Sequence, residues 1–131
     1  MADYQAPLKD MNFLLYDVFS MEAMWQSMPT LSEHVDRETA QAILQECAKI
    51  AEQEIAPLSR QGDEIGVSFN EGTVTTAPGY KEAFRTYADG GWSGLGGEPE
   101  FGGMGMPKVI TALHEEMLCS ADIAFSLYPG L

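Results

Sequence analysis

The sequence predicts an all-α fold: an orthogonal or up-down bundle of about five helices with one short extended hairpin or loop segment. Three observations carry this. Apolar residues recur at i, i+3, i+4 and i+7 in several separate stretches, whereas strict alternation is confined to the short run Ile65, Val67 and Phe69. Pro, Gly and Asn punctuation falls between the periodic stretches. Finally, 131 residues with 45% hydrophobic and 21% charged side chains suit one core and leave no room for two.

The first stretch covers residues 10–28, where Met11, Leu14, Leu15, Val18, Met21, Trp25 and Met28 form one helical stripe, with a possible break at Ser20. Such a stripe is core or helix-partner packing rather than a cofactor box. Pro29 is expected to close this helix, since its ring removes a donor and restricts the preceding residue. Residues 30–35 then read as a connector. Asp36 is a candidate N-cap with Glu38 in the first turn, and Ala40, Ile43, Leu44, Cys47, Ala48, Ala51 and Ile55 follow at helical spacing. Pro57 is expected to end or kink this second helix near Ala56.

Residues 61–79 read as extended, with Asn70-Glu71-Gly72 as turn chemistry before Thr73-Val74-Thr75-Thr76. A third helix is expected over 80–89, with Tyr80, Ala83, Phe84 and Tyr87 on one face and Gly90 at C′. Residues 90–105 hold eight of the thirteen glycines, which excludes a helix interior. Pro107 is placed at N1 of a fourth helix with Ile110, Leu113, Met117 and Ala121 inside, and a fifth helix starts near Ser120 or Asp122.

Charge narrows the function. Seven Lys and Arg against twenty Asp and Glu give −13, and the excess is even: four basic against ten acidic residues in 1–60, three against ten in 61–131. A surface of that sign repels phosphate backbones and anionic headgroups, so nucleic acid and membrane are not expected partners. The N-terminus Met1-Ala2-Asp3-Tyr4-Gln5 has no secretory pattern, and no window offers about 18 uninterrupted apolar residues. Cys47 and Cys119 stand far apart without a metal-ligand neighbour, so a reducing cytoplasm is the expected compartment, with both thiols buried in helices and inert.

The residues that invite chemistry have plainer readings. The segment Gly94-Leu95-Gly96-Gly97-Glu98-Pro99 has Pro99 where a third dinucleotide-motif glycine belongs, and Glu98 and Glu100 would repel an anion, so it reads as a structural loop. Glu98 with Glu100, and Glu115 with Glu116, could pair as acid and base, but adjacent acids usually face solvent. His114 reads as a packing residue at or just behind the surface, and with His34 as the only other histidine no metal site is expected. The segment 123–131, Ile123-Ala124-Phe125-Ser126-Leu127-Tyr128-Pro129-Gly130-Leu131, carries no charge. Such a run asks for a partner surface, so the chain reads as the N-terminal part of a longer polypeptide or as dependent on an oligomeric interface.

The order Gly90-Gly91-Trp92-Ser93-Gly94-Leu95-Gly96-Gly97-Glu98-Pro99-Glu100-Phe101-Gly102-Gly103-Met104-Gly105-Met106-Pro107, then His114-Glu115-Glu116-Met117, resembles the N-terminal helical domain of the flavin-dependent acyl-CoA dehydrogenases. The likeness covers residues 36–131, leaving 1–35 as an extension helix and connector. The opening Tyr4-Gln5-Ala6-Pro7-Leu8 looks like the extra segment of the branch similar to 3-methylthiopropanoyl-CoA dehydrogenase. Where the family commonly reads Pro-Glu-x-aromatic-Gly-Gly, the order here is Glu98-Pro99-Glu100-Phe101-Gly102-Gly103.

The resemblance implies α,β-dehydrogenation of an acyl-CoA thioester, a Glu carboxylate removing the α-proton while hydride passes to FAD. It places the flavin in a middle β-domain and the base in a C-terminal helical domain, so these 131 residues would be a fragment of a larger enzyme and inactive alone. It implies that Phe125, Ser126, Leu127, Pro129 and Gly130 lie near the acyl tail, as a wall of the substrate pocket. It also implies a homo-oligomer that hands electrons to an electron-transfer flavoprotein. The alternatives are a free-standing helical interaction module and the same domain of an acyl-CoA oxidase. The purified 131-residue chain is expected to be colourless and to self-associate. Visible absorption spectroscopy and sedimentation check this: a stoichiometric yellow chromophore, or a monodisperse monomer at high concentration, would contradict it.

Overall fold

A computed structural model describes residues 4–130; Met1, Ala2 and Asp3 of the N-terminus and Leu131 of the uncharged run lie outside the described residues. The architecture is helical with one two-stranded sheet. In chain order the elements are α1 (Leu8–Asn12), α2 (Met21–Gln26), α3 (Pro29–Ser32), α4 (Arg37–Ile50), α5 (Ala56–Ile65), β1 (Ser68–Asn70), β2 (Thr73–Thr75), α6 (Tyr80–Asp89), α7 (Lys108–Ala121) and α8 (Ile123–Gly130).

The expected first helix is interrupted twice. After α1 the chain passes through a π-helical stretch, Phe13–Val18, closed by the Phe19 amide donating to the Leu14 carbonyl five residues back. Ser20 then takes a left-handed conformation, φ 50°, before α2. The wider turn rotates the register, so Met11, Leu15 and Trp25 are buried whereas Leu14, Val18 and Met28 of the expected stripe are exposed. Pro29 does not close a helix but opens α3, a four-residue turn inside the expected connector. Its fixed φ suits the first helical position, where no N–H is needed.

The second helix starts as read from sequence. The Asp36 side chain accepts the Thr39 amide at 2.7 Å, and this bond holds its carboxyl below the usual range. Pro57 neither ends the helix nor leaves it regular. Residues Ala51–Ile55 widen into a π-helical stretch in which the Ala56 amide reaches back to the Ala51 carbonyl, and α5 continues to Ile65. The widened turn accommodates the proline ring, which would otherwise strike the carbonyl four residues before it. Residues 61–65, read as extended, are therefore helical.

The hairpin lies where expected, with Ser68 opposite Thr75, Phe69 opposite Val74 and Asn70 opposite Thr73. Glu71 and Gly72 both have positive φ, 47° and 84°, the turn whose twist matches that of a two-residue hairpin. Helix α6 has the expected bounds, but the left-handed glycine after it is Gly91, φ 78°, one residue beyond Gly90. Pro107 is the N-cap of α7 rather than N1, its carbonyl accepting the Ile110 and Thr111 amides.

One core runs through the molecule. Ala40, Leu44, Cys47, Ala48, Ala51 and Ile55 line the α4–α5 rod and meet Ile110, Met117 and Leu118 of α7, with Phe125 of α8 at the end. The N-terminal segment is docked on that rod: Met11 and Leu15 share the core, the Ala6 amide donates to Glu52 Oε1 at 2.8 Å, and Arg37 lies 4.2 Å over the Tyr16 ring. No helix among the described residues is long and apolar enough to cross a membrane.

The π-helical register makes a direct prediction. Leu15, 1% exposed, should cost about 2–5 kcal/mol on substitution by Ala, and Leu14, 43% exposed, less than about 1 kcal/mol. Urea denaturation of Leu15→Ala and Leu14→Ala measures both, and equal costs would contradict the register.

Candidate substrate-wall helix and its cleft

The candidate site is built around the corner between α7 and α8. Asp122 leaves the helical region, φ −161° and ψ 105°, and ends α7. Its carboxylate starts α8: Oδ1 accepts the Phe125 amide at 3.1 Å, and the Asp122 carbonyl accepts the Ser126 amide at 3.1 Å. Oδ2 accepts the Tyr80 hydroxyl, from the first residue of α6, at 2.5 Å.

From that corner α8 turns Phe125 and Ser126 inward and leaves Ile123, Ala124, Leu127 and Tyr128 exposed. Phe125 is fully buried, its ring centroid 6.3 Å from Tyr80, 6.0 Å from Tyr87 and 6.5 Å from Phe84. Ser126 is buried too; its hydroxyl donates to the Ile123 carbonyl at 2.8 Å and accepts the Cys119 thiol at 3.4 Å. Leu127 is 53% exposed, and Pro129 sits in the last turn.

Ser126, Leu127, Pro129 and Gly130 all face one cleft of about 390 Å³ between α7, α8 and the glycine-rich loop. Phe125 does not: its ring turns into the core, where it seats α8 instead of lining the cleft. Tyr128, between these residues in sequence, lines a second groove of about 530 Å³ with Phe84 and Val74. Helix α8 is thus a partition with a hollow on each side.

His114 is on the floor of the cleft, 5% exposed, and so is neither a surface residue nor a charged one. Its ring stacks between Tyr87 at 5.7 Å and 24° and Trp92 at 5.9 Å and 15°. Burial lowers its pKa to about 4, so the imidazole is neutral near pH 7. Burial likewise pushes the Cys47 thiol up to about 12, which leaves it a small hydrophobe. Cys119, expected to be buried, is exposed at the edge of the cleft.

The acidic pairs face solvent: Glu98, Glu100, Glu115 and Glu116 are all exposed, and only Glu115 touches the rim of the cleft. Among the described residues no group of three His, Cys, Asp or Glu could hold a metal. The glycine-rich loop fits the phosphates of a dinucleotide such as FAD poorly, because most of its glycine amides are spent internally. Gly97 donates to Gly94, Gly103 to Glu98, Met104 to Gly94, Gly105 to Gly97 and Met106 to Leu95. A Cβ on Gly103 would stand 2.2 Å from the Gly97 backbone, so the two strands of the loop are in direct contact with no space for an anion.

The cleft brings together a neutral imidazole, a thiol–hydroxyl pair and the apolar face of α8, and Lys108 and Glu115 line it as well. Of the α8 residues that the resemblance implied, Ser126, Leu127, Pro129 and Gly130 share the cleft and Phe125 does not; the aromatic sandwich around His114, Tyr128 on the second groove and the Tyr80–Asp122 bond were not anticipated. The shared face of Tyr80, Phe84 and Tyr87 was the available signal for an aromatic cluster; the position of Trp92 was not encoded locally.

Residues 37–131 match the acyl-CoA dehydrogenase N-terminal domain, and the chain belongs to that family. It is 38% identical over 128 residues to 3-methylmercaptopropionyl-CoA dehydrogenase of Ruegeria pomeroyi, covering 98% of this chain and 21% of that protein. It is also 31% identical over 133 residues to the broad-specificity linear acyl-CoA dehydrogenase FadE5 of Mycobacterium tuberculosis, covering 99% of this chain and 21% of that protein. The chain spans about a fifth of the length of these curated relatives.

The buried histidine predicts a pH effect with a definite sign. The unfolded chain protonates His114 near 6.5 and the folded chain only near 4, so the unfolded state binds more protons between those values. Stability is therefore full above about pH 6.5 and falls as pH drops to about 4, by up to roughly 3 kcal/mol. Urea denaturation across this window, compared between the native chain and His114→Phe, checks it: the variant should lose the His114 part of the slope.

Proposed function

We propose that this chain is the N-terminal helical part of a FAD-dependent acyl-CoA dehydrogenase, which carries out α,β-dehydrogenation of an acyl-CoA thioester. In this reading α8 is an apolar wall of the acyl pocket, formed by Ser126, Leu127, Pro129 and Gly130, with Phe125 behind it as the seat. One observation carries the reading: these four residues share one cleft whose α8 side bears no charge, in a chain that is otherwise strongly acidic. The family membership and the two dehydrogenase relatives support it.

The flavin and the catalytic base then belong to parts of the enzyme outside these 131 residues. The enzyme hands its electrons to an electron-transfer flavoprotein, works in the cytoplasm and assembles as a homo-oligomer. The exposed Phe13, Val18 and Phe19 of the N-terminal segment are apolar surface compatible with assembly.

The test is an assay of a polypeptide of the relatives' full length, supplied with FAD and an electron-accepting dye. Acyl-CoA-dependent dye reduction with little peroxide is expected, and the 131-residue chain alone should be inactive. Leu127→Ala should raise KM for acyl-CoA several-fold, in line with about 1–2 kcal/mol of lost apolar contact. Absence of acyl-CoA-dependent turnover would overturn the assignment, and stoichiometric peroxide would replace dehydrogenase with oxidase.

A further inference from the structure

Three elements distant in the chain meet behind α8. Tyr80 opens α6, Asp122 lies at the α7–α8 corner, and Gly62 lies in α5. Both oxygens of the buried Asp122 carboxylate are in use: Oδ1 holds the Phe125 amide at the start of α8, and Oδ2 holds the Tyr80 hydroxyl, 42 residues away in sequence. A carboxylate withdrawn from water depends on such donors. The Tyr80 hydroxyl reaches it through a space that only a glycine leaves, since a Cβ on Gly62 would stand 2.0 Å from that oxygen. That explains a glycine in the middle of α5, where it lowers helix propensity.

We propose that Gly62, Tyr80 and Asp122 form a latch that fixes the position of α8 against α6, and that Tyr80 is thereby a positioning residue for acyl-chain selectivity. The second half rests on the acyl-wall reading of α8. Burial, and then the Asp122 hydrogen bond, raise the Tyr80 pKa, so the phenol remains a donor wherever the domain is folded. The same ring lies 6.3 Å from both Phe125 and Tyr128, so its hydroxyl ties down the helix whose outward residues face the two hollows. Losing the hydroxyl keeps those ring contacts and removes only the tie.

Hydrogen exchange on the 131-residue chain tests the latch without reference to any activity. Tyr80→Phe should speed exchange of the Phe125 and Ser126 amides by about tenfold while the Leu44 and Cys47 amides of α4 stay protected. Gly62→Ala, which pushes the phenol aside, should give the same local effect. Asp122→Asn keeps the capping oxygen and offers an amide that the phenol oxygen can accept, and should stay within about twofold of the native chain. Should Tyr80→Phe fail to fold, the other two variants decide. Native exchange at Phe125 and Ser126 in Tyr80→Phe or Gly62→Ala would overturn the latch.

The selectivity half is tested in the full-length polypeptide with a long and a short acyl-CoA. Tyr80→Phe should change the ratio of their KM values by about threefold or more, with kcat within about twofold. If Leu127→Ala shifts that ratio and Tyr80→Phe does not, the positioning role is overturned although α8 is a wall. If neither shifts it while exchange is accelerated, the acyl-wall reading fails and the latch alone stands.

Discussion

The packing of the α4–α5 rod on α7 sets everything downstream of it. Ala40, Cys47, Ala48 and Ala51 are small enough for the two helices to approach closely, with Leu44, Ile55, Ile110 and Met117 filling the space around them. That contact decides where α7 ends, and therefore where Asp122 turns the chain into α8. A larger side chain at Ala48 or Ala51 would move the corner rather than only crowd the core. The π-helical stretch at Ala51–Ile55 belongs to the same constraint, because it lets one rod carry Pro57 and still continue to Gly62.

The electrostatic layout follows from burial more than from charge placement. Acidic residues dominate the described exterior, yet the cleft beside α8 is floored by an imidazole that its two flanking rings hold away from solvent. A neutral ring there adds no field to a cavity proposed to take an uncharged chain, whereas a protonated one would carry a desolvation cost and attract anions. On the proposed reading, this domain supplies shape and dryness and the reactive groups come from elsewhere in the enzyme.

The sequence revealed the helices wherever the period was regular. Asp36, the small-residue stripe of α4 and the bounds of α6 were all readable, because each rests on local capping or on a 3.6-residue repeat. The π-helical stretches were not, since a fixed period places Leu14 and Val18 with Leu15 on one face. Pro29 misled because a proline after a helix reads as a stop, but the same ring is favoured at the first position of the next helical turn; Pro57 marks the break in helical register near Ala56 that it predicts. Gly62 read as a loop residue because its reason is Tyr80, which arrives from another element. Cys119 could have been placed outside from spacing alone, as Ile110, His114, Met117, Leu118 and Ala121 already define the inner face of α7. The lack of charge along α8 was legible, but which of its residues share a cleft came only from the resemblance; the aromatic sandwich was not legible, because Trp92 reaches His114 only through the fold of the loop.

That loop closes where Gly97 and Gly103 touch backbone to backbone, with the carbonyl oxygens of Gly94 and Gly97 both claimed by amides further along. Two such positions cannot drift one at a time, since any side chain on Gly103 pries apart a contact that nothing else can replace. The freedom to vary is left to Glu98, Glu100 and Phe101, whose side chains stand in solvent at the tip. Over evolutionary time the loop should therefore behave as an invariant clasp with a disposable ornament, its interior fixed by sterics and its outer decoration open to whatever neighbouring surface a given lineage requires.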